Sequence, residues 1–280
     1  LGDVYKRQLV TGITGTLDAG LGSNSLVIKT DADLTISSAI TLPTGFQYLR
    51  LAPGDGATLT LADGFVAPGT IEMDGNGTIV NETAITTQGQ AFVVPYPPSG
   101  IPSLTNTGSI DADMGADSYL YAIDMRFQGM LTNSATITSS GYGVNMDGGV
   151  VNSGTITAAD TALYMFGEGL ANSGTIRSTG GIGVELHGNT YYTATNSGTI
   201  EGATYGAVTG YVLNNSGTIS TSDTGTAVGL DSYGALNNLA GGVIEGGAWA
   251  ITGKDPYGST RTNNARVFNA GTINGDVTFV

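Results

Sequence analysis

Four short segments of the 280-residue chain carry the side chains best suited to chemistry. They read Ile123-Asp124-Met125-Arg126, Val144-Asn145-Met146-Asp147, Leu163-Tyr164-Met165-Phe166 and Val184-Glu185-Leu186-His187. Apolar residues two apart alternate with polar or aromatic ones. A strand would therefore turn Asp124, Arg126, Asp147, Phe166, Glu185 and His187 to one face and the aliphatics to the other. Glycoside cleavage needs two carboxyls roughly 5 Å or 6.5–9.5 Å apart. Asp124 and Glu185 fall three stacked strands apart, about 14 Å, too far to work as a pair. Asp147 and His187 are two strands apart with Phe166 between them. His187 is the only histidine, so a Ser-His-Asp arrangement must include it, and no G-x-S-x-G elbow accompanies it. The plainer reading of these residues is a solvated sheet face. The six residues are candidates for a ligand-facing surface, and no catalytic residue is assigned.

Metal and cofactor chemistry finds little footing. The chain has no Cys and one His, and no calcium-binding glycine-aspartate repeats. Asp111, Asp113 and Asp117 lack the spacing and closing Glu of a calcium hand. Pairs such as Gly75/Gly77 and Gly141/Gly143 open no helix and read as turns. No cofactor is expected. Tyr119, Tyr121, Tyr142 and Tyr205 gather just before the strand positions named above and read as cover over a corner, with stacking on sugar rings as the alternative.

The elements that position these segments are repeats. The pentad Asn-Ser-Gly-Thr-Ile recurs at Asn152, Asn172, Asn196 and Asn215, and looser copies start at Asn106, Asn133, Asn238 and Asn269. A period near twenty residues with variable insertions marks a solenoid. Two residues before each Asn stands a column such as Leu104, Leu131, Val150 and Leu170, and four after it a column from Ile110 to Ile273. A third site holds pairs such as Ile123/Met125, Val144/Met146, Val228/Leu230 and Trp249/Ile251, with a weaker Ala207/Thr209. Three apolar segments per coil predict an all-β, triangular parallel β-helix with about three short strands per coil. The Asn-x-Gly corner is expected to exploit residues that tolerate left-handed backbone angles, with the Asn side chains forming a ladder up the stack.

Composition agrees with that reading. The chain has 45 Gly, 40% hydrophobic and 11% charged residues, a pattern of short strands and tight turns. A formal net charge of -14 argues against nucleic acid and anionic lipid surfaces. No apolar run of ~18 residues is present, so this segment is not expected to insert into a membrane.

Along the chain, residues 1–8 stand apart. Asp3 to Gln8 match the translation of a transposase sequencing-adapter end, GAT GTG TAT AAG AGA CAG, and residues 1–8 are expected to be non-native. Residues 9–87 read as irregular N-terminal coils. Residues 88–103 carry Pro95, Pro97, Pro98 and Pro102, which predicts an excursion between coils and no central strand. Residues 104–280 form the regular repeats, expected to continue past Val280.

The [LV]-x-N-x-G-x-I repeats, preceded by the segments ITGTLDAG, AITLPTGF and ATLTLADGF, resemble the passenger region of a bacterial autotransporter over residues 9–280. The resemblance implies a right-handed, single-stranded parallel β-helix, secreted and displayed on the surface of a Gram-negative bacterium. It also implies a C-terminal β-barrel translocator in the full-length polypeptide. The expected role is a structural or adhesion module whose partners are host or cell-surface glycans or proteins. Parallel β-helices also carry polysaccharide lyases and glycoside hydrolases, so a carbohydrate-active enzyme is the alternative. An inert stalk for a functional domain elsewhere in the polypeptide is a third.

Overall fold

A computed structural model describes residues 7–8, 24–42, 45–115, 119–188, 191–231, 233–253 and 264–279. Ile13 to Gly20, Asp117 and residues 254–263 lie outside the described residues. The described chain is all-β. Three parallel sheets of 13, 11 and 9 strands stack as a β-solenoid of about 10 turns.

From Ile71–Met73 onward each coil contributes one strand to each sheet because its apolar residues come in three short bursts. Tyr121–Met125 lies in the first sheet, Met130–Asn133 in the second and Thr136–Ser139 in the third; Tyr142–Met146 then returns to the first. Register is kept residue for residue: Leu104 pairs Leu131, Ile110 pairs Ile137, and Ile123 pairs Val144. These columns are buried completely or nearly so from Leu104 to Leu236 and from Ile110 to Ile244. Burying one such side chain is worth about 1.5–3 kcal/mol. The columns form the core and hold the coils in step.

The N-terminal coils are irregular in a specific way. Ser25–Thr30, Leu34–Ile36, Tyr48–Pro53 and Thr58–Leu61 alternate between the first two sheets only. The third sheet begins with Ala84–Gln88. Backbone residues Arg7 and Gln8 pair with Val27 and Ile28 at the sheet edge.

Three expectations need correction. Phe92–Val93 is a two-residue strand in the interior of the first sheet, between Ile71–Met73 and Tyr121–Met125. The apolar run ends before Pro95, so the ladder is complete before the donorless residues arrive. Trp249 pairs with Thr226, and Ile251 pairs with Val228. Trp249 is thus two residues outside the core column and 41% exposed.

The corner also works differently. Glycines 108, 154, 174, 198 and 217 are not among the residues with positive φ, and neither are the ladder asparagines. A Cβ on Gly174 would lie 2.0 Å from the Gly154 carbonyl oxygen, and one on Gly198 2.1 Å from that of Gly174. Glycine is required by the close approach of successive corners. Ala135 holds the position in one coil, so the requirement does not extend to every coil. The asparagine ladder is present: from Asn81 to Asn269, each Nδ2 donates to the Oδ1 of the next coil at 2.7–2.9 Å.

Candidate functional site

The outward face of the first sheet gathers all six candidate residues into two adjacent columns. Asp124 pairs Asn145, Asn145 pairs Tyr164, and Tyr164 pairs Glu185. In the next column Phe166 pairs His187, and the Asp147 amide donates to the Met125 carbonyl, one residue before Arg126. Asp124 and Glu185 stay three strand spacings apart, about 14 Å. The structure therefore separates them, as the sequence arithmetic predicts.

This face is not the solvated surface expected of mixed polar residues. Asp124 is 3% exposed, Asn145 4% and Glu185 4%. A buried carboxylate is expensive unless its charge is met, and each has a partner two residues along its own strand. Arg126 Nε donates to Asp124 Oδ1 at 2.9 Å and to Oδ2 at 3.1 Å, and its Nη2 reaches Oδ2 as well. Asp124, in turn, holds the Arg126 guanidinium more firmly protonated than usual. His187 Nε2 makes a short contact with Glu185 Oε1. The i, i+2 spacing that turns both members outward also makes each pair self-contained.

Aromatic rings supply the cover. Tyr121 packs on Tyr142 at 5.0 Å and on Tyr164 at 6.4 Å, and Tyr164 packs on His187 at 4.9 Å. Burial pushes the Tyr121, Tyr142 and Tyr164 hydroxyls up, and neighbouring acids add to the effect. Tyr121 and Tyr164 divide two shallow hollows. One, of about 490 Å³, contains Tyr119, Tyr142, Asp160 and Glu185. The other, of about 470 Å³, is lined by Tyr121, Arg126, Phe127, Asn145, Asp147, Tyr164 and Phe166.

The corner beside the second hollow carries an insertion, as the corners at residues 188–192 and 232–234 also do. Three residues, Phe127 to Gly129, separate Arg126 from Met130, whereas Gly148 alone separates Asp147 from Gly149, the partner of Met130. Within this insertion Gln128 has φ 73°, the only positive value among the described non-glycine residues. Such backbone costs of order 1–3 kcal/mol and gathers at functional sites. The insertion places Phe127 on the hollow, packed against Tyr96 at 5.4 Å. Opposite it, the Tyr211 hydroxyl accepts from the Gly167 N–H at 2.8 Å and donates to the Gly167 carbonyl, fixing the turn behind Phe166. Burial raises the Tyr211 pKa to about 12, against the lowering effect of the Gly167 N–H.

Within the hollow, Asp147 carries a pKa above the ordinary carboxylate value. Burial is the main cause and the Asp124 charge adds to it, while Arg126 works against both. Asn145 donates through Nδ2 to Asp124 Oδ1 at 3.2 Å. Its own Oδ1 is buried and has no hydrogen-bond partner. Turning the amide over would set oxygen against carboxylate, so the orientation is fixed by Asp124.

A larger cleft of about 590 Å³ lies nearer the N-terminal end, on the same sheet. The proline-rich segment supplies one wall through Tyr96, Pro97 and Ser99. Beside it Arg50 meets Glu72 at 2.7 Å, and Asp74 accepts from the Ser99 amide and hydroxyl, while Lys29, Asp31 and Asp55 also line the cleft.

Sequence reasoning missed the importance of Asn145, Tyr121, Tyr164 and Phe127, and the nearness of Asp147 to Asp124. That last point was open to arithmetic. One strand spacing and two residues along the strand put their Cα atoms about 8 Å apart. The burial of Asp124 and Glu185 carried no such signal. The fold and this face define a parallel β-solenoid with a polar and aromatic patch on its first sheet. Comparison with protein-family profiles, curated proteins and solved structures finds no match for this chain.

Proposed function

We propose that the chain is a passenger β-helix of the autotransporter type, secreted and displayed at the surface of a Gram-negative bacterium, where it serves as an adhesion module. About 10 turns at ~4.8 Å each make a stiff rod roughly 50 Å long. The observation that carries a binding role is the patch on the first sheet. Here buried charges, rings and a strained insertion converge. A host or cell-surface glycan or protein is the partner class, and a β-barrel translocator belongs to the full-length polypeptide on this reading.

A carbohydrate-active enzyme is the second reading, favoured by Asp124 and Asp147 lying on adjacent coils with Cα atoms about 8 Å apart. Binding is preferred because Asp124 is buried and held by Arg126 and Asn145, which leaves Asp147 as the one carboxyl facing the hollow. Labelled protein is expected to bind immobilised mucin saturably and to release no reducing ends from it. Absence of binding would sink the adhesion role. Release of reducing ends that is lost in Asp147→Asn would establish the enzyme instead.

A further inference from the structure

We propose that the hollow between Phe127 and Phe166 is a subsite for one uncharged sugar ring, which donates a hydroxyl hydrogen bond to Asn145 Oδ1. This rests on the binding role proposed above and gives it a location and a ligand class.

The argument begins with the orphan acceptor. A buried carbonyl oxygen without a partner costs about 1–3 kcal/mol, and buried polar atoms in folded proteins are nearly always satisfied. Asn145 Oδ1 is such an atom, and its orientation is locked from behind by Asp124. The atom is closed to solvent, so a ligand that completes it must push a lining side chain aside and bring a donor. Hydroxyl, amide and ammonium groups all qualify, so the surroundings decide.

Rings on both sides of the acceptor favour a ligand with an apolar face. Phe166 is 58% exposed although its neighbours in the column are polar, and the insertion at Gln128 brings Phe127 to the other side. A pyranose has C–H faces for rings of this kind and a rim of hydroxyls for Asn145 and Asp147. The volume of about 470 Å³ lies within the ~300–1,000 Å³ typical of small-molecule sites. Charge selects further. Arg126 is neutralised by Asp124, so the hollow offers no free cation to a uronate or sulfate. Asp147 can accept from a hydroxyl.

The test uses the full chain and saturation-transfer NMR. The probes are the methyl glycosides of glucose, galactose, mannose and N-acetylglucosamine, with methyl glucuronide as the charged control. At least one neutral glycoside is expected to receive saturation through its C–H protons, and the glucuronide markedly less. Asn145→Leu keeps the bulk and removes the acceptor, and is expected to weaken binding at least tenfold. Phe166→Ala changes an exposed ring and serves if the Asn145 variant fails to fold; it is expected to weaken binding several-fold. Silence from all neutral glycosides overturns the inference, as does binding that neither variant alters. If the glycosides are silent while mucin binding persists after enzymatic deglycosylation, the sugar subsite falls and the adhesion role stands on a protein partner. If mucin binding is also absent, both fall.

Discussion

Asp147 and Asn145 are neighbours in sequence by two and serve opposite ends of one local problem. Asp124 is a buried charge, and the groups around it are arranged to meet it: Arg126 from the front and the Asn145 amide from the side. The arrangement leaves Asn145 Oδ1 unsatisfied and raises the Asp147 pKa, chiefly through burial. A carboxyl whose pKa is higher folded than unfolded stabilises the fold below its unfolded value of about 3.9, and that contribution is lost as pH rises through the folded value. Asp147→Asn cannot ionise and so suffers no such loss. Its urea midpoint is expected to be slightly above that of the parent at pH 7, with the advantage gone at pH 3. An advantage that persists at pH 3 would show that packing, and not charge, is responsible.

At the scale of the element, the coil corner shows what a repeat encodes. Asn172 is buried, donates to Asn196 Oδ1 at 2.8 Å and to the Thr199 carbonyl at 3.2 Å, and accepts from Asn152 at 2.8 Å. Counted as one lost hydrogen bond, Asn172→Ala costs about 1 kcal/mol. The structure raises that figure, because Asn196 Oδ1 is left in the interior without its donor. The loss is expected to be about 2–3 kcal/mol, read from urea denaturation; a loss near zero would mean that the ladder is decorative. The strands, their parallel order and the ladder were legible because three apolar bursts per period admit few other windings. Asn81 was missed because Thr83 and Ala84 replace the Gly-Thr of the motif, although its register with Asn106 is unbroken. The glycine requirement was misread for a different reason. Sequence shows that a glycine is present, but only the distance to the coil below shows that the constraint is space and not φ. In the site, alternation put the six residues on one face correctly. The depth to which Asp124 and Glu185 sink depends on rings contributed by other coils, and single-strand periodicity cannot carry that information.

For the whole molecule, the central claim is that outward positions stack one per coil along a single axis. The third sheet offers the cleanest ruler, running Asp111, Thr138, Thr157, Arg177, Glu201, Ser220 and Glu245 in unbroken register. The chain has no Cys, so paired substitutions can be spin-labelled without background. Asp111→Cys with Ser220→Cys spans five coil steps, about 24 Å, and Asp111→Cys with Glu245→Cys spans six, about 29 Å. Pulsed electron–electron spectroscopy is expected to give one narrow distance for each pair, the second longer by about one coil spacing. Broad distributions, or two distances in the reverse order, would contradict the stacked winding and the binding face built on it.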